Sequence, residues 1–229
     1  MVLAKLFGIA SLTGYISALT PPKGLNDGSY RAYIDHLGRE VHELVALPNG
    51  DKLDSSEVTQ FVTDENALKT LTSRADNFSP DRKTISKRYY ESSQYGFGDG
   101  ILDIYCGCGF NLDPGNCDAA VADLKNQVGS DAQIPMNMAW YSIRGNVVAF
   151  ACTRPESIDN YNKPSDSDAN YLTISYEDIT HFCGWYVAGT AMYVPFWATE
   201  YNQPYVEYMQ YYDGLDFCYQ STGSSEDHC

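Results

Sequence analysis

"Met138-AWYSIRGNVVAFAC-Thr153" decides how the chain is read. Two β-rich runs, Met138 to Ile143 and Val147 to Cys152, flank a short Arg144-Gly145-Asn146 turn. Branched and aromatic residues around a glycine-containing turn make an antiparallel hairpin. A sheet that contains a tight hairpin is antiparallel at that point, so the neighbours must be placed around it.

Immediately upstream, Cys117, Ala120, Val121, Leu124 and Val128 recur at i, i+3, i+4, i+7 and i+11, which predicts a helix starting from Asn116 as N-cap and stopping at Gly129. Before that helix, Ile101 to Tyr105 reads as a strand leading into Cys106-Gly107-Cys108. Downstream, residues 154 to 170 are polar, carry Pro155 and Pro164, and read as a long surface loop. A shorter helix is then expected from Ser175, with Asp178 as a partial capping box and Tyr176, Ile179, Phe182 and Cys183 buried before Gly184. Two more strands follow, in Trp185 to Trp197 and in "YVEYMQYYDGLDFC", where Asp213-Gly214 marks a turn. The order strand, helix, hairpin, helix, strand, strand predicts an α+β fold: a two-layer α/β sandwich with two helices on one face of an antiparallel sheet, stabilised by disulfides.

The N-terminal part has a different character. After Lys5, thirteen largely apolar residues from Leu6 to Ala18 are too few to cross a bilayer but suit a secretory signal, with Ile16 and Ala18 at −3 and −1 of a cleavage site. Residues 1–18 are therefore expected to be a signal peptide. Tyr30, Ile34, Leu37, Val41, Leu44 and Val45 predict one amphipathic helix interrupted by Gly38. The Asn77-Phe78-Ser79 sequon is followed by Pro80, which makes it a poor glycan acceptor.

Lys87-Arg88 coincides with two compositional breaks. Residues 1–88 hold 11 basic and 11 acidic side chains, whereas 89–229 hold 4 and 19, and so carry the whole net charge of −15. All seven cysteines lie after Arg88. A processing protease needs two exposed cations to fill its acidic subsites. The expected organisation is a pro-region, 19–88, cut after Lys87-Arg88, and a mature domain, 89–229.

Seven cysteines in an exported chain imply three disulfides and one thiol left over. The candidates are Cys106, Cys108, Cys117, Cys152, Cys183, Cys218 and Cys229, with 105 possible arrangements. Cys117 and Cys183, on apolar helix faces, are expected to staple helices to the sheet, with Cys152 and Cys218 as candidate partners. Cys229, at the chain end, is expected to be unpaired or to reach back to Cys106 or Cys108. A zinc site from Cys106, Cys108, His181 and Cys183 fits no common module.

No nucleotide-binding, nucleophile-elbow or metalloprotease motif is present. His181 and Cys183 lie two apart on a helix and so face different directions. Carboxylates abound, but no pair stands out for a glycosidase. Asp166, Asp168, Asn170 and Glu177 occupy positions 1, 3, 5 and 12 of a calcium-loop pattern, with Tyr171 where the sharp turn requires glycine. Trp140, Trp185 and Trp197 with the 19 tyrosines suit either a sheet or a sugar-stacking platform. The acidic field repels nucleic acid and anionic membranes. Crowded carboxylates also raise one another's pKa, so stability is expected to fall as pH rises.

The helix "NCDAAVADLKNQV", the hairpin "WYSIRGNVVAFAC", the helix "YEDITHFCGW" and the strand "YVEYMQY" before Cys218 resemble the fungal killer-toxin-like (KP4-type) secreted proteins over about residues 101 to 219. That resemblance implies an α/β sandwich, disulfides, secretion, and action on competing fungi or a plant host. Members of the family tend to be basic and richer in cysteine. Here the mature part has only Lys125 and Lys163, and neither can be assigned the family's functional lysine role. The expectation is a monomeric, cofactor-free, non-catalytic toxin-like or effector-like protein that binds a target on another organism's cell surface or membrane. The alternatives are a secreted carboxylate-dependent hydrolase and a calcium- or glycan-binding module.

Overall fold

In the computed structural model, Met138–Arg144 (β7) and Val147–Cys152 (β8) form the expected hairpin, paired from Ala139 with Cys152 to Arg144 with Val147. Gly145, at φ +53°, supplies the positive dihedral of its two-residue turn. The structure describes residues 19–48, 50–62, 89–91, 100–130, 133–135, 138–153, 165–166, 168–195, 204–224 and 228–229. The signal peptide, the sequon, Lys87-Arg88, Lys163 and Trp197 lie outside these residues.

Every residue of β8 is buried, which places it centrally with both faces covered. The remaining strands are Gly28–Ile34 (β1), Glu40–Ala46 (β2), Thr59–Val62 (β3), Tyr89–Glu91 (β4), Gly100–Asn111 (β5), Val187–Pro195 (β10) and Tyr205–Gln210 (β11). With the hairpin they form a nine-stranded sheet in the order β3-β2-β1-β7-β8-β11-β10-β5-β4. All its pairings are antiparallel. Gln133–Ile134 (β6) and Ser165–Asp166 (β9) pair separately.

Two long helices cover one face. Pro114–Val128 (α1) packs on β7, β8 and β1, and Ala169–Cys183 (α2) on β10, β5 and β11. Ala120, Leu124, Leu172 and Ile179 meet Ile104, Val147, Ala149, Ala151 and Val206 in one core. Gly189 lets α2 approach β10 closely, because a Cβ there would lie 2.7 Å from Ile179 Cγ2. The alternate residues of the hairpin, Tyr141, Ile143, Val148 and Phe150, face a second core with Tyr30, Leu19, Leu215 and Phe217, the last on the short helix Phe217–Gln220 (α3). The α+β class with an antiparallel sheet is as expected. The helices cover only part of a sheet wider than the sequence suggested, and the other face has its own core, so a two-layer sandwich describes the fold in part.

The helix expected over Tyr30 to Val45 is instead the hairpin β1–β2. Tyr30 and Ala32 are buried on either side of exposed Arg31, which is strand alternation. Asp35 Oδ1 accepts the amides of Leu37 and Arg39 at 2.9 Å and holds the turn, leaving Leu37 exposed at its tip. Both long helices begin earlier than expected. Asp113 caps α1, accepting from Asn116 N at 2.8 Å, with Pro114 in the first turn. Asp168 caps α2, accepting from Tyr171 N at 2.7 Å, so Ser175 and Asp178 are mid-helix and Ser175 Oγ donates back to Tyr171 O.

Three disulfides cross-link these layers. Cys106–Cys183 ties β5 to α2, Cys152–Cys218 ties β8 to α3, and Cys108–Cys229 ties β5 to the last residue. Cys183 is a helix-to-sheet staple as expected, but its partner is Cys106. Cys152 and Cys218 pair with each other. Cys117 is the free thiol, buried on α1, rather than a staple. No described helix is long and apolar enough to cross a membrane.

Candidate functional site

α1 and α2 leave a groove of about 470 Å³ between them, floored by the sheet. From α1 come Cys117, Asp118, Val121 and Lys125; from α2, Tyr176 and Thr180; from the turn after α2, Trp185 and Tyr186; and from β11, Tyr208. The floor is fixed. Tyr176 and Tyr208 stack at 5.5 Å with 18° between their rings, Tyr176 OH donates to Glu207 O at 3.4 Å, and Thr180 Oγ1 and Tyr208 OH are 3.4 Å apart.

The rim is built differently. Gly184 ends α2 at φ +98°, and the chain turns through Trp185 and Tyr186 into β10. Trp185 is 76% exposed, the most open large apolar side chain among the described residues. Tyr186 has φ +59°, the one non-glycine among the described residues with a positive value, a conformation that costs about 1–2 kcal/mol. Two contacts hold it. Its carbonyl accepts from Leu112 N at 2.7 Å, and its hydroxyl donates to Asp118 Oδ2 at 3.3 Å. The two rings lie 6.0 Å apart and inclined at 51°. Strain held by tertiary contacts beside an exposed indole marks this rim as a place where side-chain position matters more than local stability.

Cys117 opens onto the groove but is not poised to react. Burial, and secondarily the charge of Asp118, push its thiol up to about 12, so it stays protonated at neutral pH and is a poor nucleophile. Burial likewise pushes Tyr208 up to about 12 and Tyr176 well above its usual value. Desolvation, then the charge of Asp118, raise Tyr186. Every ionisable group with a shift here is held neutral. The arrangement offers aromatic faces with hydroxyl, carboxylate, ammonium and amide groups around them, which suits holding a polar, ring-shaped ligand.

The residues of the calcium pattern are spread along the chain, with Asp166 on β9 and the other three at or within α2. Asp168 is occupied as the N-cap of α2, and Asn170 and Glu177 lie about 10 Å apart along that helix. Among the described residues no group of three or more metal-ligating side chains is gathered. Cys106, Cys108 and Cys183, considered for zinc, are in disulfides, and His181 is exposed against the ring of Phe182. Trp140 is half-buried on β7 with its indole N–H directed at Met138 Sδ, and it does not line the groove that Trp185 rims. Lys125, left without a role by sequence, lines the groove.

Sequence reasoning missed one polar network altogether. Glu40 and His42 on β2 are fully buried; His42 Nε2 meets Glu40 Oε1 at 2.6 Å, His42 Nδ1 meets Tyr141 OH at 2.7 Å, and Thr20 N donates to Glu40 Oε1 at 2.5 Å. It is closed to solvent, so it holds the fold rather than contacting a ligand. No family model, curated protein or solved structure matches this chain.

Proposed function

We propose that this is an exported, toxin-like or effector-like protein that acts without catalysis, by holding a neutral carbohydrate of another organism's surface in the α1–α2 groove. The observation that carries the reading is the rim, an indole 76% exposed beside a tyrosine kept at φ +59°. Sugar rings present apolar faces that stack on indole and hydroxyls that bond to groups such as Asp118, Lys125 and Asn126. A net charge of −15 weakens binding to phosphate-rich or anionic surfaces and leaves a neutral glycan unaffected.

Three disulfides and the apolar segment Leu6 to Ala18 support export. The killer-toxin-like family resemblance, with a competing fungus or plant host as target, an α/β sandwich as the finer architecture and a monomeric state, belongs to this proposal, as does cleavage after Lys87-Arg88. Asp118 is the one carboxylate among the described lining residues, whereas glycoside hydrolysis needs two in register. That favours binding over turnover.

The test is incubation of the folded protein with insoluble chitin, β-glucan and cellulose, reading both retention on the solid and release of soluble sugar. Retention without release is expected. Sugar release abolished by one Asp or Glu substitution, or retention on none of the three, would refute the proposal.

A further inference from the structure

The charge and cysteine breaks at Arg88 make residues 19–88 read as a leader to be discarded, yet the sheet uses them. β1 lies between β2 and β7 and pairs with β7 at six positions, from Gly28 with Ile143 to Tyr33 with Met138. Tyr30 stacks on Tyr141 at 5.1 Å and 10°, and both are buried in the core on the face away from α1 and α2. His42 reaches across from β2 to Tyr141 OH. Further contacts cross the same division: Gln127 Nε2 donates to Tyr30 O at 2.8 Å, Gly145 N to Asp27 Oδ1 at 2.9 Å, and Gly24 N to Asp213 Oδ1 at 3.0 Å.

Two features make this seam separable by cutting but not by simple dilution. β3 ends at Val62 and β4 begins at Tyr89, so a break after Arg88 falls between strands and interrupts no described pairing. Without β1, β7 would become an edge, with Ala139, Tyr141 and Ile143 uncovered beside a row of unpaired backbone groups. Such an edge invites pairing with other chains, so the cut protein gains by keeping its own strand.

We infer that the N-terminal segment is a retained, sheet-completing subunit: once cut after Arg88, residues 19–88 stay docked through β1, and the working protein is a non-covalent two-chain assembly. This rests on the processing part of the proposed function. No cysteine lies before Cys106, so the two chains have no covalent link.

Native and denaturing mass spectrometry of the natural secreted product tests it, without reductant. The expected result is one native species that separates in denaturant into the N-terminal chain and Tyr89–Cys229. A single uncut chain overturns the inference through its processing premise, while Tyr89–Cys229 alone overturns retention itself, so the two failures are distinguishable. As a second measurement, the folded full-length protein is cut in vitro and the half-life of the complex followed by size exclusion. Tyr30→Ala should shorten it by ~10-fold or more, and His36→Ala, in the exposed β1–β2 turn, should leave it unchanged; equal half-lives for all three proteins would contradict docking through this seam.

Discussion

Replacing Asp178 by Asn should remove much of the pH dependence of stability between pH 4 and 8. Asp178 lies on α2, 6% exposed, and its Oδ2 finds no hydrogen-bond partner among the described residues. Burial first, and the neighbouring charge of Glu177 second, lift its carboxyl from an ordinary 3.8 to about 7. The folded state therefore holds a proton that the unfolded chain has released. Stability is fully present below about pH 4 and declines until the folded carboxyl ionises near pH 7. Taken at face value, a lift of that size is worth ~4 kcal/mol, and relaxation and water penetration around the ionised carboxylate reduce it to about 2 kcal/mol. For a chain of this length that is a fall of roughly 4–8 °C in Tm. Thermal unfolding with the disulfides intact, at half-unit steps from pH 4 to 8, measures it in both proteins. Asn keeps the shape without the charge, so the variant should show a decline shallower by that amount. Equal slopes would refute the reasoning.

Three further outcomes follow from the same geometry. Tyr186→Gly relieves the φ +59° strain and should leave the unfolding free energy unchanged or raised by about 0.5–1 kcal/mol, while weakening retention on polysaccharide. Removing Cys152 and Cys218 together opens a 66-residue loop and should cost about 4 kcal/mol, read by denaturant unfolding against the native protein. Labelling with a thiol reagent should modify nothing in the folded state and only Cys117 after unfolding without reductant, with peptide mapping locating the adduct.

The elements legible in the sequence were those whose signal is local. The hairpin at 138–153 declares itself by its turn, and α1 and α2 by apolar spacing, although their N-caps, Asp113 and Asp168, lie ahead of the first periodic residue, outside that signal. Tyr30 to Val45 is ambiguous in sequence because its apolar residues fit 3.6-residue spacing while also alternating around Arg31, and a turn from Asp35 to Gly38 resembles a helix interruption. Net charge and cysteine placement carry no information on strand pairing, so the compositional break at Arg88 does not divide the sheet. Disulfide partners required the sheet order: Cys106 meets Cys183 only because α2 packs on β5 and β10. The groove was beyond reach for the same reason, since Trp185 and Asp118 are 67 positions apart and Tyr186 shows nothing unusual until its dihedral is known. The expected fall in stability with pH has its sign from Asp178, but the larger cause is burial rather than crowding.

Whether the groove holds a sugar is most directly read from Trp185 itself. Titrating the folded protein with soluble chitin and β-glucan oligosaccharides while recording tryptophan emission should give a saturable blue shift, because stacking removes the exposed indole from water, and Trp185→Phe should abolish it. An emission spectrum unmoved by every oligosaccharide, or a shift that survives Trp185→Phe, would contradict the account.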